Sequence, residues 1–395
     1  MEYVNDCIKK HLKRQELIIL KLNDFNILLN FNNKTKKMKT ICLNMIVREE
    51  NSVIQPCLDS VKELIDYWVI IDTGSNDGTQ QTILKCLKNI PGKLLEQTWV
   101  DFAYHRNQAL EHSKNKSDYL LFLDADERLI LPTPLPFLEK DCYFIRMVGQ
   151  WMEFHKFFLI KNNTHWKWEG VLHEYLLPEA PTTSEILITA HIEYNLNAGY
   201  RSRNPNKALQ DIEILQQALI KEPENGRYTF YLAQSYLQAN DISLSLKYFE
   251  KRVQLHKNDQ TSAEKEEVFW SLYHIGCLSH DIIKPFEEVV KAFSQAFHYD
   301  PARAEPLYFL ARVLQEKKFF FLGYLVNQFA FNFPAPERII RVQQWIYDYG
   351  ITLQYAKCSQ KIGKIKQAQQ LYQQLLNNPK TPETIKQTVY ENYLP

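Results

Sequence analysis

Tyr119-Leu120-Leu121-Phe122-Leu123-Asp124-Ala125-Asp126-Glu127 is the stretch on which the reading of this 395-residue chain turns. An unbroken apolar run that stops at carboxylates has the pattern of a strand buried on both faces, and such strands belong to parallel sheets covered by helices. Two aspartates one residue apart at a strand end place hard oxygen ligands beside a divalent cation while the sheet holds them rigid. Such a site suits an anionic substrate. A diphosphate supplies further oxygens to the metal, and the metal neutralises charge building on the diphosphate as it leaves. A solvated acidic turn reads the same way in isolation, but the apolar strand before the pair and a second acidic strand end at Asp72 favour the metal site.

Outward from this stretch, the hydrophobic pattern from Thr40 to about Tyr200 alternates between short β-rich runs and helical periods, as in an α/β domain. Ile41 to Val47 predicts a buried strand, Val53 to Leu64 a helix, and Tyr67 to Ile71 a second strand ending at Asp72. The turn Asp72-Thr73-Gly74-Ser75-Asn76-Asp77-Gly78 then precedes a helix from Thr79 to about Asn89. A third strand near Leu94 to Trp99 and a helix from Tyr104 to Ser113 lead to the strand at Tyr119. Ligands of open α/β sheets bind at the carboxyl ends of the strands, so Asn44 to Glu50, Asp72 to Asp77 and Asp124 to Glu127 should meet in one cleft.

The length implies two or three domains at roughly 150 residues each. With 45% hydrophobic residues and 24% charged, the chain has the material for ordinary cores. Lys and Arg total 47 against 46 Asp and Glu, a net charge of +1, which argues against a nucleic-acid binder relying on a global positive field. The seven cysteines are widely spaced and form no C-x-x-C pair, so neither a disulfide framework nor a zinc ribbon is indicated and a cytoplasmic setting fits. No window is apolar enough for a membrane span, and no signal peptide is visible. Residues 1–37 read as a poorly packed extension ending in Asn32-Asn33-Lys34-Thr35-Lys36-Lys37.

Beyond Asn204-Pro205 the strand signals vanish and Gln, Leu, Tyr, Phe and Ala recur at helical spacing. Ala233, Tyr236 and Phe249, then Phe293, Ala296 and Pro301, resemble tetratricopeptide positions, and the step from Pro301 to Pro334 is close to that family's period. Trp345, Gly350, Ala368 and Pro379 suggest a last copy with slipped spacing. An α-solenoid of three to five helix pairs is therefore expected, with a plain helical bundle as the alternative.

Four ordered blocks carry a further resemblance: Cys42 to Glu50, Trp68 to Thr79, Arg106-Asn107-Gln108-Ala109-Leu110, and Leu121 to Glu127. They resemble a family 2 glycosyltransferase of GT-A fold. With Trp166-Lys167-Trp168-Glu169-Gly170-Val171-Leu172-His173-Glu174-Tyr175 and the helical tail, the chain is similar to the bacterial branch that fuses this domain to tetratricopeptide repeats. Glycocin S-glycosyltransferases and some lipopolysaccharide-core glucosyltransferases are relatives. The resemblance implies an α/β Rossmann-like nucleotide-sugar domain over 38–200 and an all-α repeat domain over 204–395. It also implies that Asn44, Arg48, Glu50 and Asp72 border the nucleoside, that Arg106 presents a cation to the diphosphate, that Asp124 faces the ribose or metal, and that Asp126 ligates Mn²⁺ or Mg²⁺.

An inverting transfer needs a base for the acceptor's proton, and Glu169, His173 and Glu174 are the candidates, with Glu174 preferred and His173 assigned to the metal or diphosphate. Trp166 and Trp168 are read either as faces for a sugar or as structural residues. The resulting expectation is a metal-dependent inverting transferase that moves a hexose from UDP-glucose or a similar donor to a peptide or protein held by the helical domain. The alternatives are a saccharide or lipopolysaccharide-core acceptor, or an inactive repeat scaffold. A homodimer is compatible with the sequence. Because the donor motifs all precede Glu179, donor binding and acceptor recognition are expected to be partly separable.

Overall fold

The computed structural model describes residues 38–149, 153–162, 166–194, 199–258, 261–336 and 341–393. The expected extension over 1–37 lies outside them. Strands β1 (Ile41–Val47), β2 (Tyr67–Asp72), β3 (Gly92–Glu96) and β4 (Tyr119–Phe122) alternate with helices α1 (Ile54–Val61), α2 (Thr79–Cys86) and α3 (Phe102–Ser113). β1 and β2 are almost wholly buried, which is why they read as continuous apolar runs. The third strand begins and ends earlier than its apolar residues suggest, because Gly92 lets the chain pass against the Trp68 ring, where a Cβ would sit 2.2 Å from ring atoms.

Four strands without a clear sequence signal extend this sheet: β5 (Glu127–Ile130), β6 (Cys142–Val148), β7 (Glu153–Lys161) and β10 (Ser184–Tyr194). The eight-stranded order is β3-β2-β1-β4-β7-β6-β10-β5. β1 runs parallel to both β2 and β4, whereas β7 joins β4 antiparallel and β5 pairs antiparallel with β10. The site is thereby positioned, because the carboxyl ends of β2, β1 and β4 lie side by side. The Trp166–Tyr175 block forms a separate hairpin of β8 (Trp166–Glu169) and β9 (Tyr175–Pro178). Its connecting loop contains Gly170 at φ 108° and His173 at φ 52°.

Every element after α4 (Tyr200–Arg203) is helical: α5 (Lys207–Lys221), α6 (Gly226–Gln238), α7 (Ile242–Gln254), α8 (Ser262–Asp281), α9 (Phe286–Tyr299), α10 (Glu305–Glu316), α11 (Phe320–Ala330), α12 (Ile351–Lys361), α13 (Ile365–Asn377) and α14 (Glu383–Tyr393). Each packs on its successor, and α6, α8, α10 and α12 also touch in series, as the inner layer of a solenoid does. The slipped last copy has a local cause. A π-turn at Ile346–Gly350 leads directly into α12, and its wider winding absorbs the spacing change.

The α/β and helical halves share packing. Leu172, from the hairpin loop, belongs to the same buried cluster as Leu215, Tyr228, Phe230, Tyr231 and Trp270, with Phe102 and Val171 against it. No described helix is long and apolar enough to cross a membrane.

Candidate active site

The ends of β1, β2 and β4 open onto a cleft of about 560 Å³ lined by Arg48, Glu50, Thr73, Arg106, Asp124 and Asp126, and on its far wall by Tyr200, Arg201, Asn204 and Glu213. The expected convergence of the three strand ends is therefore present. Backbone N–H groups tie them: Glu49 donates to Ser75 Oγ at 2.8 Å and Glu50 to Thr79 Oγ1 at 2.8 Å.

Asp72 is fully buried at the end of β2, behind the cleft wall to which its neighbour Thr73 contributes. Its Oδ1 accepts from the amides of Gly74 and Ser75 at 2.9 and 2.8 Å, which fixes the turn, whereas Oδ2 has no partner. A buried acceptor left open in this way is costly unless a ligand donor meets it. Asn44 stands elsewhere. It is buried in β1 and donates to Ser113 Oγ at 2.8 Å, so it braces α3 against the sheet and does not border the cleft. Arg48 is exposed at the rim, 5.8 Å from the Tyr200 ring centre.

Arg106, on α3, connects an acid of the β4 end with an acid of the hairpin loop. Nη2 donates to Asp124 Oδ1 at 2.8 Å and Nε to Glu174 Oε1 at 2.5 Å, while the guanidinium lies 4.9 Å from the Trp168 ring centre. Burial opposes the charge on Arg106, but the two carboxylates outweigh it and raise its pKa. Lys156, from β7, bonds Glu127 and stands 3.7 Å from Asp124. Burial alone would raise the Asp124 pKa, yet Arg106 and Lys156 hold it well below the usual carboxylate range. Asp124 is thus committed to cations of the protein itself.

Asp126 and Glu50 differ from it. They approach each other beside Gly199, where a Cβ would lie 2.8 Å from Asp126 Oδ2 and 3.6 Å from Glu50 Oε1. Burial, with Asp124 nearby, raises the Asp126 pKa. Burial together with Asp126 and Asp124 pushes Glu50 up to about 7, although the Tyr200 amide and Arg203 work the other way. Two hard carboxylates side by side, one raising the pKa of the other, are a donor set that fits a divalent cation. Among the described residues no group of three or more His, Cys, Asp or Glu side chains is placed to hold a metal alone, so phosphate or water oxygens would have to complete the coordination.

The proposed trio Asp124, Asp126 and His173 is accordingly not assembled. His173 instead stacks on Tyr231 of α6, ring centres 3.9 Å apart. Burial, followed by Arg341, Lys207, Arg227 and Arg201, drives its pKa well below the ordinary histidine value. Glu169 faces away from the cleft, pairs with Lys167 at 2.8 Å, and lines a second hollow with Tyr104, Tyr175 and Tyr228. Of the three base candidates, Glu174 is the one joined to the cleft, through Arg106. Trp166 and Trp168 pack edge-on against Phe157 and Phe122.

Residues 42–139 match the model described as glycosyl transferase family 2. The chain carries a family 2 glycosyltransferase domain. It is 41% identical over 95 residues to a TPR repeat-containing protein of Synechococcus elongatus, covering 24% of this chain and 22% of that one. It is 25% identical over 245 residues to the SPbeta prophage-derived glycosyltransferase SunS of Bacillus subtilis, covering 56% of this chain and 55% of the relative. The chain thus spans about half the length of SunS and less than a quarter of the cyanobacterial protein. Among solved structures, MamA protein aligns with 49% of this chain and 91% of its own at a TM-score of 0.35 and 12% identity.

Several residues of the cleft escaped sequence reasoning. Lys156 was visible only as a lone cation within the apolar run Phe154-His155-Lys156-Phe157-Phe158. Gly199, Tyr200 and Arg201 follow the last strand of the domain, where a glycine before an aromatic and a cation was the available signal. Glu213 had none, because nothing local marks one exposed acid of α5 as facing the cleft.

Proposed function

We propose that the chain is a metal-dependent, inverting glycosyltransferase that moves a hexose from a nucleotide-diphosphate sugar, UDP-glucose or a related UDP-hexose, to a peptide or protein acceptor. The observation that carries this reading is the cleft at the carboxyl ends of β1, β2 and β4, where the Glu50–Asp126 pair lies in the same pocket as Arg106. Asp72 Oδ2, buried without a partner, is suited to accept from the nucleoside. Arg106 offers its guanidinium to the diphosphate. Asp126, with Glu50, would hold Mn²⁺ or Mg²⁺, which when bound neutralises charge on the departing diphosphate.

Glu174 takes the acceptor's proton as the acceptor heteroatom bonds to the anomeric carbon and the bond from that carbon to the diphosphate breaks. The repeats provide an extended inner surface of the kind that holds polypeptides, which supports a peptide over a saccharide or lipopolysaccharide-core acceptor. The six described cysteines are all free thiols, which supports a reducing, cytoplasmic setting.

A thermal-shift series with UDP-glucose, UDP-galactose, UDP-N-acetylglucosamine and GDP-mannose, with and without Mn²⁺, tests the donor reading, since a ligand of the native state raises apparent stability. Asp126→Asn is expected to keep the fold while removing the Mn²⁺-dependent shift and most donor turnover, and EDTA should do the same to the parent. Full turnover after either treatment would refute the metal assignment. Absence of any shift or turnover would leave the inactive scaffold as the better reading.

A further inference from the structure

We infer that the first turns of α6 belong to the transfer apparatus: Arg227 is a positioning residue that acts through Glu174. The inference rests on the reading of Glu174 as the base. Glu174 closes the loop between β8 and β9, and its neighbour His173 holds a left-handed backbone that a non-glycine residue adopts at a cost. Such a conformation persists where the surroundings over-determine it.

The restraint comes from the repeats. The side chain of Asn225 caps α6 by accepting from the Tyr228 amide at 2.9 Å, which sets Arg227, Tyr228 and Tyr231 against the loop. Arg227 Nη2 donates to the His173 carbonyl at 2.7 Å, and Nη1 donates to Glu267 of α8 at 2.8 Å. The same guanidinium lies 4.7 Å from the Tyr175 ring centre and 4.9 Å from that of Tyr231. Tyr231 in turn stacks on the His173 imidazole, and the Tyr228 hydroxyl reaches the Val171 backbone.

On its other side the hairpin is held by α3. Asn107 exchanges two hydrogen bonds of 2.8 Å with the Trp168 backbone, and Arg106 binds Glu174 itself. The Glu174 carboxylate is therefore set between two clamps, one from each half of the molecule. A planar guanidinium can lie flat between two rings while donating in two fixed directions. A lysine ammonium cannot, though it keeps the charge opposite Glu267.

The test uses the full chain and hydrolysis of the UDP-hexose giving the largest thermal shift. Arg227→Lys should lower kcat by about 10²-fold, the scale of an ångström-level misplacement. KM for the donor and the shift produced by UDP should stay at parental values. In a Glu174→Gln background the same substitution should cause no further loss, because residues acting as a unit are not additive. Unchanged kcat, or an equal loss in both backgrounds, would overturn the inference. Should Arg227→Lys fail to fold by circular dichroism, Tyr231→Leu removes the stack on His173, leaves the Arg227–Glu267 pair, and carries the same expectations. If the parent shows no donor turnover, the base assignment falls on its own. Hydrogen exchange then decides the positioning claim: faster exchange of the Gly170–Tyr175 amides in Arg227→Lys supports it, and parental exchange overturns it.

Discussion

The strand ends at the cleft and the hairpin loop that carries Glu174 are held by different forces. Asp72 and Asp124 follow from neighbouring parallel strands, so backbone ladders and turn amides fix them before any distant side chain contributes. Glu174 sits on a two-stranded hairpin outside the main sheet, which takes its place from side chains of α3 and α6. An isolated two-stranded hairpin is marginal in water. The cleft carboxylates are thus built into the sheet, whereas the placement of Glu174 depends on the helical half. The two halves nevertheless share a cleft and a core, since Tyr200, Arg201 and Glu213 line the cleft and Leu172 is buried among the repeats.

The sharpest way to break this contrast is Glu174→Gln. Loss of a positioned base typically costs about 10² to 10⁴ in rate, so kcat should fall by that amount while UDP affinity stays nearly parental. Glu169→Gln, on a residue paired with Lys167 outside the cleft, should leave both unchanged; the reverse pattern would move the role to Glu169.

Leu172→Ala sharpens the contrast in stability. Truncating a buried leucine costs about 2–5 kcal/mol, and here the cavity lies in a core shared by both halves. Thermal unfolding followed separately through the sheet and the helices should shift in both. A shift confined to one half would show that they unfold independently.

The smallest expected effect concerns pH. Burial raises the folded-state pKa of Glu50 to about 7, above its ordinary carboxylate value, so between those values the folded chain holds a proton that the unfolded chain has released. Stability without metal should therefore be full at acid pH and decline as pH rises toward 7. Glu50→Gln should flatten that slope in a series of melting curves, and an unchanged slope would assign it to other groups.

What the sequence disclosed follows the same division. β1 and β2 were legible to the residue or nearly so, because strands buried on both faces leave continuous apolar runs, and the carboxylates behind them marked the cleft. β10 was not, since Ser184 to Tyr194 mixes exposed polar and apolar residues, and its partners β5 and β6 lie far back in the chain. Asn44 was misplaced because a polar residue within an apolar strand looks the same whether it faces a ligand or Ser113. Lys156 and Arg227 depend on contacts between distant segments, which no local pattern records.

The position of β5 bears on the order in which the molecule assembles. Glu127 to Ile130 follows immediately after Asp126, yet its ladder partner is β10, which ends at Tyr194. During synthesis this edge segment emerges early and waits unpaired until the strand that captures it has been made. Pairings between sequence-distant segments form late because loop closure must be paid for first. The Asp124–Asp126 turn, held until then by β4 and by Cys57 and Ser60 of α1 but without the β5 ladder, is expected to be among the last parts of the sheet to become rigid, so a nascent chain should acquire its parallel core well before it acquires a rigid acidic pocket.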